Sequence, residues 1–263
     1  MTDSHFKEPS RLYRYRSFPL VESQEHRLRD IFVAHKLYFP SPAQLNDPFD
    51  CRIRLSFDGS EKQYRDYMSQ LFSRYKPEWN EEQREQEIEA LIDHVGADQL
   101  EDVFRNLIEN GIAETIGVSS LSAINNDILM WGHYADGHRG VCLEFQATNS
   151  TPFFGRAQPV QYEEKYPLIN FFTSDSGKQA ETVLLSKSSQ WCYEREWRII
   201  EHDSGPGEYE YPPELLTGVI FGAAIPDKHR DKVRDWVAKS ATKPAFYNAK
   251  LKSDEFGLYI EET

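Results

Sequence analysis

The sequence predicts an α+β fold, built on a mixed, mainly antiparallel sheet core with a helical insertion. An apolar fraction of 39% and an aromatic fraction of 13% are typical of a folded globule. Predicted strands and helices do not alternate strictly, which favours α+β over a doubly wound sheet. Helical spacing of apolar residues interrupts the strand pattern over residues 61–112. We therefore expect one domain over residues 1–263 with an insertion at 61–112.

The first elements follow from local patterns. Leu12–Arg16 alternates apolar or aromatic residues with arginines and predicts a first strand, with the two arginines on one face. A helix is expected over Glu22–Lys36 and a short strand over Leu37–Phe39. Asn46–Asp50 predicts a turn, because Asp47 precedes a proline. This turn either is purely structural or uses its two carboxylates to bind ribose hydroxyls or orient an arginine.

The insertion is predicted to contain three amphipathic helices that support packing and lie away from the active cleft. Gly96 and Gly111 are plausible helix ends. The apolar residues at helical spacing are Tyr64, Tyr67, Met68, Leu71, Phe72 and Tyr75, then Ile88, Leu91, Ile92 and Val95, then Leu100, Val103, Phe104, Leu107 and Ile108.

The second half returns to strands and shorter helices. Strands are expected at Thr115–Leu121, Gly140–Phe145, Pro159–Tyr162, Arg195–Glu201, Val219–Phe221, Ala245–Asn248 and Gly257–Glu261. Helices are expected at Asn126–Ala135, Gly177–Ser188 and Pro226–Lys239.

Composition and missing motifs exclude several function classes. The net charge of −13 argues against a protein that coats duplex DNA. Cys51, Cys142 and Cys192 form no C-x-x-C pair, so we expect no bound metal and no disulfide framework. The sequence has no nucleophile elbow, phosphate loop or dinucleotide fingerprint. Without a signal peptide or an apolar run of ~20 residues, a cytoplasmic protein with no membrane partner is expected.

The segment Met130–Gly140 contains two histidines, a tyrosine and an arginine at a predicted helix end. In one interpretation Gly137 caps the helix, and Trp131 and Tyr134 belong to the core. That interpretation does not explain His133, His138 or Arg139, and the alternative is that at least one of these lines a site.

The densest cluster of charged and aromatic residues is Trp191–Arg198. If this segment is a strand, Cys192, Glu194, Glu196 and Arg198 share one face. Two adjacent carboxylates repel each other, so one should have a raised pKa. Such pairs occur where carboxylates do chemistry, but a buried ion-pair network would also produce them. Cys142 and Cys192 are expected in core strands, and either is a possible nucleophile or simply buried.

Several segments together resemble domain-of-unknown-function family 2971 (DUF2971) of bacteria and phages. They run from Leu12–Ser17 through Leu37–Phe39, Asn46–Asp50, Leu129–Asp136 and His138–Cys142 to Lys187–Arg198. The resemblance implies a bacterial setting, such as a toxin or phage-defence effector, and no activity.

A weaker resemblance is to ADP-ribosyltransferases, whose arginine-specific members carry a late Glu-x-Glu like Glu194-Arg195-Glu196. It implies that Arg14 or Arg16 holds the pyrophosphate or ribose of NAD. Ser119 would orient the nicotinamide, although the segment lacks the family's threonine. Glu196 would stabilise the oxocarbenium-like state, and Glu194 would orient or deprotonate the acceptor.

The site predicted from this resemblance has Glu196 and Glu194 as catalytic residues and NAD as substrate. The predicted cofactor-binding residues are Arg14, Arg16, Ser119, His133, Tyr134 and Arg139. The acceptor would be a protein or a nucleic acid. Two alternatives stay open. One is a non-catalytic binding or regulatory protein with a structural ion-pair network. The other is a nucleic-acid-targeting effector that uses Arg14, Arg16, Arg139, Arg195 and Arg198.

Overall fold

The computed structural model describes residues 9–19, 24–52, 54–56, 58–94, 114–172 and 176–263. The strands are β1 (Arg11–Arg16), β2 (Lys36–Phe39), β3 (Arg54–Ser56), β4 (Gly117–Ser122), β5 (Val141–Gln146), β6 (Gln158–Pro159), β7 (Gln161–Glu163), β8 (Leu168–Asn170), β9 (Ser186–Ser188), β10 (Glu196–Glu201), β11 (Gly207–Glu210), β12 (Leu216–Phe221), β13 (Ala245–Leu251) and β14 (Leu258–Glu262). The helices are α1 (His26–Val33), α2 (Glu61–Tyr75), α3 (Glu81–His94), α4 (Ile128–Tyr134), α5 (Ser176–Leu185) and α6 (Asp227–Ala238).

The main sheet confirms the predicted α+β class. Within the described ranges it has eight strands in the order β14-β13-β12-β5-β1-β4-β10-β6. Only β12 and β13 pair in parallel among these neighbours, and the other pairs are antiparallel. Three two-stranded sheets, β11-β2, β3-β8 and β7-β9, complete the strand pairing of the described residues.

The main sheet opens between β1 and β4. β1 pairs with β5 along its whole length, from Arg11 opposite Gln146 to Arg16 opposite Val141. β4 pairs in the same continuous way with β10. The register between β1 and β4, in contrast, contains only Tyr13 opposite Ser122. The two strands therefore diverge beyond this pair, which leaves room for side chains between them.

Alternation along β1 sorts its side chains between two cores, as its sequence predicts. Leu12 belongs to the larger core, which also contains Phe32 and Phe145. Tyr15 belongs to a smaller core with the fully buried Trp131 of α4. Trp131 meets Tyr15 edge to face at a ring-centroid distance of 5.2 Å, a favourable aromatic geometry.

Two of the three predicted insertion helices, α2 and α3, lie within the described residues and pack on each other. Ser60 and Gln63 form a capping box at the start of α2. Met68 and Ile88 form a separate apolar cluster with Leu55 of β3 and Ile169 of β8. The third helix, with Leu100, Val103, Phe104, Leu107 and Ile108, lies outside the described residues. The extent of the insertion and the single domain stay predictions.

The strand expected at Arg195–Glu201 is present as β10, but the conditional interpretation that this strand extends back to Trp191 is wrong. Residues Ser189–Glu194 form a 3-10 helix, and β10 begins only at Glu196. The Ser188 hydroxyl caps this helix by accepting from the backbone N–H of Gln190. Cys192 is consequently exposed on the helix and is not in a core strand. The expected sharing of a face holds for Glu196 and Arg198, which both lie on β10 and are both buried.

Two features, a membrane-spanning helix and a metal-binding cluster, are absent from the described residues. None of the helices among the described residues is long and apolar enough to cross a membrane. In the same part of the chain, no group of three or more His, Cys, Asp and Glu residues could hold a metal ion.

Candidate active site at the opening between β1 and β4

Five charged side chains meet in the interior, and we refer to them as the buried ion cluster: Asp50, Lys187, Glu194, Glu196 and Arg198. All five side chains are at most 5% exposed. Burying this many charges is unfavourable unless each is paired and hydrogen-bonded. Their pairing is therefore what makes the arrangement possible.

The backbone at Arg195 brings the two glutamates together. Glu194 ends the 3-10 helix, and Glu196 begins β10. Arg195 between them adopts a left-handed conformation with φ of 44°. This turn of the chain directs both carboxylates inward while the Arg195 side chain stays exposed. The Ser122 hydroxyl donates to the carbonyl oxygen of Glu194 at 2.6 Å, which anchors the turn to β4.

One half of the cluster is built around the fully buried guanidinium of Arg198. Its Nε donates to Glu196 Oε1 at 2.8 Å, and its Nη2 donates to Asp50 Oδ2 at 2.6 Å. Its Nη1 donates to the carbonyl oxygen of Leu184 at 2.7 Å. Each nitrogen of the guanidinium thus has an acceptor, the condition for a stable buried arginine.

The other half contains Lys187, Glu194 and Tyr134. Lys187 Nζ donates to Glu194 Oε2 at 2.5 Å and to Glu196 Oε2 at 2.8 Å. The Tyr134 hydroxyl donates to the second oxygen, Glu194 Oε1, at 2.6 Å. Asn46 Nδ2 reaches the same hydroxyl at 3.4 Å. Glu194 therefore joins the cluster to a tyrosine whose side chain is only partly buried.

The two carboxylates differ in proton affinity. Burial and then the Glu196 charge raise the pKa of Glu194, and they outweigh the opposing effect of Lys187. Burial would also raise the pKa of Glu196, but the charges of Arg198 and Lys187 outweigh it and lower that pKa. Three carboxylates face two cations in the cluster. The excess of one negative charge explains why one carboxylate, Glu194, retains a proton more readily.

A cavity of about 290 Å³, the β1–β4 cavity, lies where the sheet opens. Its wall contains Arg14 and Arg16 of β1 together with Tyr134, Glu194 and Glu196. The structure thus brings five of the eight predicted site residues to one cavity. The remaining lining residues are Tyr13, Tyr15, Pro40, Gln44, Leu45, Asn46, Asp50, Ser120, Leu121, Ser122, Met130 and Lys187.

Within the described ranges, Arg14 and Arg16 have no negatively charged partner. Arg14 is buried and donates to the Ser119 hydroxyl and, at 3.0 Å, to the carbonyl oxygen of Tyr38, both neutral acceptors. No carboxylate among the described residues lies within salt-bridge distance of Arg14 or Arg16. Burial and then the Arg16 charge lower the pKa of Arg14. Burial, followed by the Arg27 charge, lowers the pKa of Arg16 to about 10.

Three predicted site residues do not line the β1–β4 cavity. Ser119 is not part of the cavity wall, and its hydroxyl accepts a hydrogen bond from the Arg14 guanidinium. His133 is exposed, with its ring 6.3 Å from that of Trp191. Arg139 is exposed and pairs with Asp136 at 2.9 Å.

Two other hypotheses from the sequence, a cysteine nucleophile and an arginine surface for nucleic acid, are not supported by the arrangement of their residues. Burial raises the pKa of the Cys142 thiol, which disfavours the thiolate needed for nucleophilic attack. The five arginines of the nucleic-acid alternative do not converge, since Arg198 is paired in the interior while Arg195 and Arg139 are exposed.

The comparisons with known proteins give one finding. The model of a protein family of unknown function, DUF2971, matches residues 130–199, a little over a quarter of the chain. No curated protein and no solved structure is significantly similar to the chain. The match is shorter than the expected resemblance from Leu12 to Arg198, and the resemblance to ADP-ribosyltransferases has no support from these comparisons. The matched segment contains four of the five members of the buried ion cluster, all but Asp50.

Sequence reasoning assigned no function to Lys187, and it left open whether Asp50 acts in the site. Lys187 was identified only as the first residue of a resembling segment, although it donates to both glutamates. Its one local signal is a lysine two residues after the apolar end of α5. The hypothesis for the Asn46–Asp50 turn included a carboxylate that orients an arginine. Asp50 does so by accepting a hydrogen bond from Arg198. Asp47 instead caps its own turn by accepting from the backbone N–H of Phe49 at 2.9 Å.

Proposed function

We propose that this protein is an enzyme whose reaction takes place in the β1–β4 cavity, with Glu194 transferring a proton. The observation that carries the proposal is the environment of this carboxyl group. Glu194 lines the cavity, has a raised pKa and accepts a hydrogen bond from Tyr134. A carboxyl group with these properties is suited to general acid–base catalysis near neutral pH.

The proposed substrate is anionic. Arg14 and Arg16 present two cations to the same cavity without carboxylate partners among the described residues. A desolvated guanidinium is stabilised by an anion, and its planar set of donors matches phosphate oxygens. Because the two arginines are two residues apart on one strand face, both can contact one diphosphate. This favours a phosphate-bearing small molecule over a neutral one.

NAD is the first substrate we propose, consumed by hydrolysis or by ADP-ribosyl transfer to a protein or nucleic-acid acceptor. NAD has a diphosphate for the arginines, and cleavage of its glycosidic bond forms an oxocarbenium-like state that carboxylates stabilise. Glu194 would deprotonate the acceptor or water. Glu196 binds Lys187 and Arg198 through its two oxygens, so we now assign it to positioning. A role as toxin or phage-defence effector rests on the family resemblance alone.

A second candidate function is a non-catalytic binding or regulatory protein. One observation favours it: Arg198, Glu196 and Asp50 satisfy one another in the interior, as in a purely structural ion-pair network. In that case Glu194 would only complete the network. The β1–β4 cavity would then bind an anionic ligand without converting it.

The experiment compares nicotinamide release from NAD by wild type, Glu194→Gln and Tyr134→Phe, with Glu262→Gln as a control. Glu262 is exposed on β14, far along the sheet from β1 and β4. We expect Glu194→Gln to reduce the rate by ~100-fold or more with little change in melting temperature, while the control stays at the wild-type rate. Equal rates for wild type and Glu194→Gln would reject the role of Glu194. Folded wild type that binds NAD without releasing nicotinamide would favour the non-catalytic candidate.

A further inference from the structure

A second cavity, of about 540 Å³, shares Lys187 with the β1–β4 cavity. We call it the Trp191 cavity. Its wall is formed by residues of the Asn46–Asp50 turn, of β9, and of the segment 163–167, which begins at the last residue of β7. The turn contributes to both cavities: Asn46 and Asp50 line the first, and Asp47 and Phe49 line the second.

Aromatic rings line the Trp191 cavity in positions open to a ligand. Phe49 is 63% exposed and Tyr166 is 40% exposed, although large aromatic side chains are usually buried. Trp191 is half-buried, with Lys187 Nζ 5.2 Å from its ring centroid. Ring faces of this kind provide stacking surfaces for a planar base.

Three cations on the rim have no ion-pair partner in the part of the chain that the structure describes. Arg52, Arg54 and Lys165 line the cavity, and no carboxylate of the described residues forms a salt bridge with any of them. Glu163 and Glu164 line it too, and with Lys187 and Asp47 the lining has four positive charges against three negative ones. This small excess suits a single phosphate group and gives little attraction for a long polyanion, which needs many cations.

Asp47 provides a hydrogen-bond acceptor at the cavity. The residue is 7% exposed, and its Oδ1 accepts a hydrogen bond from the backbone N–H of Phe49. Its Oδ2 is buried and has no hydrogen-bond donor among the described residues. A buried carboxylate oxygen without a donor is costly, and an amino group of a ligand would satisfy it.

We propose that the Trp191 cavity is a binding site for a purine mononucleotide. Phe49, Tyr166 and Trp191 would stack on the base, Asp47 would accept from its exocyclic amino group, and Arg52, Arg54 and Lys165 would bind the phosphate. A purine fits better than a pyrimidine because it covers more of the exposed ring surface. Binding at this site does not depend on any reaction in the β1–β4 cavity.

The test measures AMP binding to the full chain by calorimetry, without NAD. Phe49→Ala removes a stacking face from an exposed position, and Asp47→Asn keeps the turn contact while replacing the Oδ2 acceptor with an amino group. We expect saturable AMP binding by wild type and at least tenfold weaker binding by both variants. Binding of UMP to wild type should also be weaker than that of AMP.

Arg16→Gln changes only the β1–β4 cavity and tests whether AMP binds there, whereas Glu262→Gln, exposed on β14, is the matched control. We expect Glu262→Gln to bind AMP as wild type does, with melting curves verifying that every variant is folded. If Arg16→Gln loses AMP binding and Phe49→Ala retains it, the nucleotide binds in the β1–β4 cavity and the inference is wrong. Folded wild type that binds neither AMP nor GMP would also overturn it.

Discussion

At the residue scale, the difference between Glu194 and Glu196 comes from their partners. Glu196 contacts two cations, Lys187 and Arg198, which stabilise its charged form. Glu194 shares Lys187 with Glu196 and gains only a neutral hydroxyl from Tyr134. Glu196 is therefore held ionised, which suits it for positioning. Glu194 can exchange a proton, which suits it for catalysis.

We predict that Glu196→Gln lowers the free energy of unfolding by about 3–5 kcal/mol, because it leaves Arg198 and Lys187 buried with one carboxylate fewer. Urea unfolding of wild type and variant measures the difference. Glu262→Gln, at an exposed position, should stay within about 0.5 kcal/mol of wild type. A Glu196→Gln protein as stable as wild type would mean that the pairs contribute no net stability.

The same carboxylate predicts a loss of stability in acid. The pKa of Glu196 is lowered in the folded protein, so its contribution is fully present above the ordinary value of 4.5 and is lost as pH falls through the lowered pKa. The raised pKa of Glu194 acts in the opposite direction, since its contribution is lost as pH rises. The stability difference between wild type and Glu196→Gln should therefore shrink as pH falls from 4.5 towards about 2, the lowered pKa of Glu196. A constant difference would contradict the lowered pKa.

At the scale of elements, the single residue Arg195 determines how the 3-10 helix meets β10. A left-handed conformation costs a non-glycine residue about 1–2 kcal/mol. The N–H of Ala123 donates to the Arg195 carbonyl at 3.0 Å, which holds this conformation against β4. The geometry of the two glutamates thus depends on a turn that the sheet enforces.

Two substitutions at this position should have opposite effects. Arg195→Gly should preserve or raise stability by up to about 1 kcal/mol, because glycine adopts positive φ without strain. Arg195→Val should lower stability by more than that, because a β-branched residue is poorly tolerated there. Thermal melting of the pair measures both. If valine were tolerated as well as glycine, the left-handed turn would not be required.

At the scale of the whole molecule, the helices α2 and α3 and the main sheet have separate apolar clusters. Neither helix contributes a residue to the β1–β4 cavity or the Trp191 cavity. The helices therefore support packing around β3 and β8, while the site depends on the sheet and on the segment after α5.

This separation predicts a local effect for Ile88→Ala. Ile88 lies on α3 and is fully buried in the apolar cluster with Met68, Leu55 and Ile169. The truncation should therefore lower the free energy of unfolding of that cluster by about 2–5 kcal/mol. Amide hydrogen exchange should show faster exchange in α2 and α3 and unchanged protection in β1 and β5. Uniform acceleration across β1 and β5 would show instead that the clusters unfold as one unit.

Much of the fold was predictable because period-two and helical patterns are local. The alternation in β1 predicted correctly that Arg14 and Arg16 share a face, and the α+β class followed from the order of elements. The strand at Arg195–Glu201 was predicted correctly, but the interpretation that it begins at Trp191 was wrong, because Ser189–Glu194 form a 3-10 helix and Arg195 is left-handed. The cap at Ser188 and the hydrogen bond from Ala123 to Arg195 hold this conformation, and the alternation of side chains does not reveal either contact.

The sequence by itself determined which residue types are available: paired glutamates, two arginines on one strand and an aromatic segment around them. Only the tertiary structure decided which of them meet. Tyr134 and Asp50 join the cluster from distant segments, Tyr134 by donating to Glu194 and Asp50 by pairing with Arg198 and Lys187. The cavity exists because β1 and β4 separate after one residue pair. The physical reason is that charge pairing and burial depend on distances through space, which local patterns do not encode.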